Sequence, residues 1–427
     1  MGMNEDLLQR RFKTIGKHSP LFYEQPLQLV KGEGVWVWDA NGKRYLDVYN
    51  NVPHVGHCHP RIVEALTNQA STLNTHTRYL HENIVNYAER LTSLFDDSLS
   101  SAMFMCTGSE ANEQALRMAR YHTCKQGIIV TNSAYHGNTE AVAELGTEFM
   151  PDAASTKRVK SIPVPDSYKS IDGIADSELA DYYANCVQVA IEEFEEEGVG
   201  FAGLLLCPEF ANEGLVNVPQ GFMEKAVANV RAAGGVFIAD EVQGGFGRTG
   251  HHWWSHQGEN VVPDIVTLGK PMGNGHPLAG VIVSSELLDS FGEWSMYFNT
   301  FGGNPVSCAV GMAVLNVLQE EKLLENAVET GRFVANGLKE LQSRYEIIGD
   351  VRDKGLFFAL ELVEDRETKA PIQHVAGRLI NMMCKRGVLI SKIGSNDNIL
   401  KLRPPMPFGK DNAAQLLATL DECFAAL

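Results

Sequence analysis

Residues 234–250 read GGVFIADEVQGGFGRTG. Val236–Ala239 is a short apolar run of strand length that leads directly into two acids, Asp240 and Glu241, and then a glycine-rich turn. A carboxylate at the end of a buried strand pays a desolvation cost unless a cap, an ion pair or a bound cationic group offsets it. Gly245, Gly247 and Gly250 spell GxGxxG, the spacing of a dinucleotide-binding loop. Such a loop opens a helix directly after its strand, whereas here the two acids intervene and RTGHHWWSHQ (248–257) offers no helical face. The dinucleotide reading therefore fails, and Asp240 is left to explain.

Thirty residues on, VPDIVTLGKPMGNGHPLAG (262–280) places Lys270 at the end of a second apolar strand, before a turn rich in glycine and proline. A surface lysine at a strand end is commonplace. A desolvated one loses basicity, and a neutral amine is what forms an imine with a carbonyl. Upstream, MFMCTGSEANEQALRMAR (103–120) predicts a strand, a turn through Thr107-Gly108-Ser109, and a helix with Ala111, Ala115, Met118 and Ala119 on one side. Thr107 and Glu110 fit a capping box. A small, donor-rich turn at a helix N-terminus also suits a phosphate, since free N–H groups and the helix dipole both favour an anion there. An anion site, an acid for a pyridine nitrogen and an imine-forming amine are together what pyridoxal 5′-phosphate (PLP) requires of a protein.

Around these pieces, Ile128–Val130, Phe201–Cys207 and Gly280–Val283 supply further short apolar runs, and Leu179–Glu197 and Phe222–Ala233 read as intervening helices. Short apolar strands alternating with helices predict an α/β fold, its mostly parallel sheet covered on both faces. Pro60 suits a first helical position, and Ile62, Leu66, Ala70 and Leu73 follow at helical spacing; Ile84, Tyr87, Leu91 and Leu94 mark a second helix. At the start of the chain, GEGVWVWDANGKRYLDV (32–48) reads as a hairpin turning at Asn41-Gly42. Residues 1–59 are expected to form the N-terminal part of a small α+β domain, 60–310 a large cofactor-binding domain, and 311–427 the C-terminal part of the small domain.

The net charge of −17 argues against nucleic acid as a partner, because a polyanion needs a basic face. No apolar run approaches the roughly 20 residues that span a bilayer, and MGMNEDLLQRRFKTIGKH lacks a signal peptide's apolar core, so no membrane association and a cytoplasmic location are expected. The eight cysteines include no CxxC pair and read as reduced, mostly buried thiols. His54, His57, Cys58 and His59 match no standard zinc spacing; loop and capping roles are expected, and no metal.

CTGSEAN, AYHGN, FIADEVQGGFGRTG, TLGKPMGNGHPLAG and FNTFGGNP together resemble the class III aminotransferases across nearly the whole chain. The resemblance implies a fold type I PLP-dependent transferase with a seven-stranded sheet in its large domain. It implies that Gly108 and Ser109 hold the cofactor phosphate, that Tyr135 stacks on the ring with His136 beside it, and that Asp240 meets the pyridine nitrogen. Val242 and Gln243 are expected to flank the ring and Lys270 to join the cofactor aldehyde. Thr300 is expected to reach the phosphate of a neighbouring subunit, which makes the protein a homodimer with shared sites. Arg403, in LRPP, sits where a substrate carboxylate is often clamped.

YNNVPHVGHCHP (49–60) makes the chain more similar to the phospholyase-like branch than to typical ω-transaminases. That branch eliminates from phosphoethanolamine, phosphohydroxylysine or a hydroxylated aminoethylphosphonate. Where transaminases of the class carry Glu-Pro, this chain has Pro208-Glu209-Phe210-Ala211-Asn212-Glu213-Gly214, which casts doubt on dual recognition of amine and keto acid. Arg403, Asn50, Asn51, His54 and Glu209 are the substrate-side candidates, with Glu209 a possible partner of Arg403; loop hydrogen bonding competes for the asparagines. The expected activity is a PLP-dependent lyase that releases aldehyde and ammonia from a small phosphorylated or phosphonylated amino alcohol. The alternatives are an ω-amine:keto-acid aminotransferase and, in another class, a non-catalytic binding protein on the same fold.

Overall fold

The computed structural model describes residues 3–146, 156–169 and 171–427. A hairpin-built sheet comes first, from β1 (Leu29–Glu33), β2 (Trp36–Asp39) and β3 (Arg44–Asp47), with Gly42 at φ +80° in the β2–β3 turn. The large sheet follows: β4 (Ser101–Met105), β5 (Gly127–Thr131), β6 (Val159–Ile162), β7 (Phe201–Leu206), β8 (Val236–Asp240), β9 (Ile265–Leu268) and β10 (Ala279–Val283). Its order is β4-β10-β9-β8-β7-β5-β6, and only β10 runs against the others. The expected mostly parallel sheet is thus present. The seventh strand, β6, was absent from the apolar runs because VKSI carries two polar residues in four.

Alternate residues of the central strands enter two different cores. Leu204, Leu206, Phe237 and Ala239 join a cluster with helices Leu179–Glu196 and Phe222–Ala232, while Leu205, Ile238, Ile128 and Val130 pack with Ala111, Ala115, Met118 and Ala119 of helix Gly108–Thr123. Burial on both faces is why these strands read as unbroken apolar runs. The C-terminal ends of β4, β7, β8 and β9 share one edge, which delivers Thr107, Cys207, Asp240 and Lys270 to the same region.

A third sheet, β11 (Ile348–Asp353), β12 (Phe358–Leu362), β14 (Ser391–Ile393) and β15 (Ile399–Leu402), has the order β11-β12-β15-β14. The remaining short strand, β13 (Val388–Leu389), pairs in parallel with β3, so the N-terminal hairpin is completed by the C-terminal region. Four of the eight free cysteines are buried, two are partly buried, and Cys58 and Cys124 are exposed, fewer buried than the sequence suggested.

The GxGxxG glycines serve packing. Gly247 (φ +74°) and Gly250 (φ +83°) lie against helix Leu323–Arg344, where a Cβ would fall 2.5 Å from Leu324 Cδ1 and 2.7 Å from Val328 Cγ2. Between them and β15 sits Arg248, fully buried, donating to the carbonyls of Leu356 and Pro404 and to His54 Nδ1 at 3.0 Å. One guanidinium thereby ties the glycine turn to three distant segments. Among the described residues it has no carboxylate partner, so these acceptors are what offset its desolvation. Truncation leaves two carbonyls and an imidazole without a donor. Arg248→Ala is expected to destabilise the protein by about 3 kcal/mol or more, read as a lower urea midpoint; an unchanged midpoint contradicts this role.

Candidate active site

Asp240 ends β8 on the face covered by helix Gly108–Thr123, and three donors meet its carboxylate. Asn112 Nδ2 lies at 2.9 Å and His136 Nδ1 at 2.7 Å from Oδ2, and the Val242 N–H is 2.9 Å from Oδ1. Burial pushes this carboxyl up, but the His136 hydrogen bond and charge, with the Val242 and Asn112 donors, outweigh it and hold the group below its usual range. Asp240 is therefore an anion at neutral pH. Asn112 is itself fixed: its Oδ1 accepts from Thr267 Oγ1 on β9 at 2.7 Å, and its Nδ2 also reaches the His136 carbonyl at 2.6 Å.

A cavity of about 210 Å³ opens beside this acid, lined by Gly108, Ser109, Tyr135, His136, Asp240, Val242, Gln243 and Lys270, together with Gly137, Cys207 and Asn212. The half-buried Lys270 has no hydrogen-bond or ion-pair partner among the described residues. Burial, then the Arg403 charge, pulls its amine below the ordinary lysine range against the opposing effect of Asp240.

At the opposite wall, Thr107 caps helix Gly108–Thr123, and Glu110 reaches back in the expected capping box. The cap leaves the Gly108 and Ser109 N–H groups without partners among the described residues. Close packing demands glycine here: a Cβ on Gly108 or Gly269 would come within 3.0 or 3.1 Å of Val242 Cγ1, and one on Gly137 within 2.9 Å of Ser109 Cα. Among the described residues a carboxylate, an unpartnered amine and two free N–H groups thus surround one cavity, and the buried His136 Nε2 also lacks a hydrogen-bond partner.

The remaining candidates separate. Arg403, directly after β15, is buried; its Nη1 donates to Gln243 Oε1 and its Nε to the Tyr49 carbonyl at 3.3 Å. Glu209 pairs with Lys354 at 2.8 Å rather than with Arg403. His54 is buried with both ring nitrogens engaged, Nε2 on the Phe246 carbonyl at 2.7 Å and Nδ1 facing Arg248. Asn50 binds the Asp47 carboxylate at 3.0 Å, whereas Asn51 is buried with its Nδ2 unpartnered among the described residues. Thr300 lies in an exposed stretch and does not line its own chain's cavity. His57 pairs with Asp47, and His59 reaches Glu321 at 3.1 Å without making the side-chain cap bond that its N-cap position allows.

Sequence reasoning missed Asn112, Thr267, Cys207, Asn212 and Lys401. Asn112 had a signal, a polar residue inside the alanine stripe of its helix, and Lys401 had one too, two residues before Arg403 on the same strand face.

The chain belongs to the class III aminotransferase family, whose pattern it matches over residues 22–424. Among solved structures it is similar to an Arthrobacter phospholyase in complex with phosphoethanolamine, at 46% identity and a TM-score of 0.96 over 99% of this chain and 100% of that one. It is 36% identical to ethanolamine-phosphate phospho-lyase homolog 1 of Caenorhabditis elegans over 98% of this chain and 93% of the relative. It is also 40% identical to an alanine–glyoxylate aminotransferase 2-like protein of Drosophila melanogaster, over 99% of this chain and 87% of the relative. Enzymes of this family depend on PLP. The donor set around the cavity fits that group, with N–H groups for a phosphate, an anion for a ring nitrogen and an amine for an aldehyde. Asp240→Asn keeps the shape and removes the charge; kcat is expected to fall about 100- to 1,000-fold with the fold intact by circular dichroism, and a fall of less than about 10-fold contradicts the role.

Proposed function

We propose that the protein is a PLP-dependent lyase that eliminates from a small amino alcohol bearing phosphate or phosphonate, giving an aldehyde and ammonia. The Gly108 and Ser109 N–H groups would hold the cofactor phosphate, Tyr135 and Val242 would face the ring with His136 and Gln243 at its edge, and Asp240 would meet the ring nitrogen. When bound, the cofactor supplies an aldehyde that captures the substrate amine and a ring that accepts electrons.

Lys270, depressed in basicity and without an ion-pair partner among the described residues, is the base that takes the proton from the carbon bearing nitrogen. Asp240, held as an anion, keeps a ring nitrogen protonated. Arg403 is the anchor for the substrate's anionic end, and Asn51, whose buried Nδ2 has no partner among the described residues, is a second donor. The observation that carries this reading is that no carboxylate pairs with the buried Arg403 guanidinium among the described residues, while Glu209 is taken by Lys354. A phosphate or phosphonate supplies the missing charge. For phosphoethanolamine the bond between carbon and the phosphate ester oxygen breaks, its electron pair leaving with phosphate, and with one water the products are acetaldehyde, ammonia and phosphate. A hydroxylated aminoethylphosphonate instead loses water from the carbon next to phosphorus.

The aminotransferase reading has the 40% identical relative in its favour. Incubating the holoenzyme with phosphoethanolamine or a hydroxylated aminoethylphosphonate, without keto acid, separates the two. Ammonia and aldehyde are expected to accumulate over many turnovers; a single turnover that resumes only when pyruvate or 2-oxoglutarate is added overturns the lyase. Lys270→Ala is expected to lower the rate at least ~100-fold.

Thr300 supports a homodimer with shared sites. Met296 (84% exposed) and Phe301 (70%) are its exposed apolar neighbours in the chain, and Tyr79 (64%) and Leu80 (102%) add exposed apolar surface to a segment whose His76 and Arg78 pack on Phe298. Such a patch suits a two-fold interface. A Thr300→Asp chain and a Lys270→Ala chain, each inactive alone, are expected to recover about a quarter of wild-type activity when unfolded together and refolded at equal amounts, since half the dimers then carry one intact site. No recovery rules out a site completed in trans.

A further inference from the structure

Lys401, on β15, is buried at 2% exposure, and its side chain points to the same side as Arg403 two residues on. Its Nζ donates to the Ala211 carbonyl at 2.7 Å and to Gln243 Oε1 at 3.3 Å, the same oxygen that receives Arg403 Nη1. Both cationic heads also lie over one ring, Phe357, at 5.4 Å for Lys401 and 5.7 Å for Arg403. Two buried basic side chains therefore converge on one neutral oxygen.

Their surroundings do not neutralise them. Among the described residues no carboxylate lies within ion-pair distance of either. Glu213, which acts on Lys401 from farther away, spends its oxygens on Thr131 Oγ1 at 2.8 Å and the Asn212 N–H at 3.0 Å. Lys270, which also acts on it, is an amine and offers no negative charge. Burial first, then Arg403 and Lys270, pull Lys401 far below the ordinary lysine range, and an anion held beside it opposes that shift and favours the charged ammonium.

We infer that Lys401 and Arg403 form a two-cation subsite for a doubly charged, tetrahedral oxyanion, and that Lys401 makes this site prefer phosphate or phosphonate over carboxylate. A carboxylate carries one charge and meets the guanidinium fork alone. A phosphate monoester or phosphonate carries up to two, with three oxygens to share between the fork and the ammonium. The inference deepens the lyase reading and rests on it for the substrate's identity, although anion selectivity is measurable without turnover.

The test uses holoenzyme with wild-type chain, Lys401→Met and Lys401→Arg. Competitive inhibition by inorganic phosphate and by acetate is measured beside kcat and KM for phosphoethanolamine. Lys401→Met is expected to raise the phosphate inhibition constant and the KM about 10- to 100-fold, to leave acetate within about 3-fold, and to change kcat less than KM. Lys401→Arg keeps phosphate inhibition within about 5-fold of wild type. Equal weakening of phosphate and acetate, or no weakening of phosphate, overturns the inference. If Lys401→Met does not fold, the arginine chain decides: loss of phosphate preference with retained charge is the refuting result. A wild-type enzyme that releases no ammonia without keto acid overturns the lyase reading alone, and the phosphate-against-acetate comparison still judges the subsite.

Discussion

The site depends on keeping a carboxylate ionised where water hardly reaches it. Removing the charge of Asp240 from solvent costs several kcal/mol, and three short hydrogen bonds offset that cost. Their donors come from helix Gly108–Thr123, from the loop after β5 and from the turn after β8, with Thr267 on β9 orienting the amide of Asn112. The bonds that hold the charge therefore also fix the helix whose N-terminus offers the Gly108 and Ser109 N–H groups. An electrostatic requirement and an anion-ready helix end are met by one set of contacts.

A second layer arrives from the sheet containing β15. It contributes Lys401 and Arg403 across Gln243, and the segment around Phe357 contributes Lys354 opposite Glu209. Glu209, the candidate partner of Arg403 in the sequence, is thus claimed by Lys354, and Arg403 has no carboxylate partner among the described residues. In a chain with a formal net charge of −17, Lys401 and Arg403 are thus buried side by side with no carboxylate at ion-pair distance among the described residues.

The centre of the site was legible because polar residues terminating apolar runs are unusual in a covered sheet. Asp240, Lys270 and the Thr107–Glu110 box each broke a simple pattern. Asn112 was overlooked because one asparagine in a helix reads as surface, although Ala111, Ala115 and Ala119 show that its side of the helix is buried. In ILKLRPP the alternation suggests that Lys401 faces water, and only the third sheet's position against the large one turns that face inward. His54 and Glu209 illustrate the opposite limit. Their partners, Arg248 and Lys354, lie far away in the chain, so nothing local could show that both were already committed. The strand VKSI failed for a plainer reason, since a short edge strand needs few apolar residues.

The glycines that imitate a nucleotide loop leave a signature for comparing related chains. At position 247 the obstruction is the side chain of Leu324, whereas at 250 it includes the backbone nitrogen of Val328, 2.9 Å from where a Cβ would sit. Backbone cannot be trimmed by substitution. Drift at 250 is accordingly closed to every lineage that keeps this helix in place, while 247 and 324 are free to co-vary in size wherever a left-handed turn can still be accommodated.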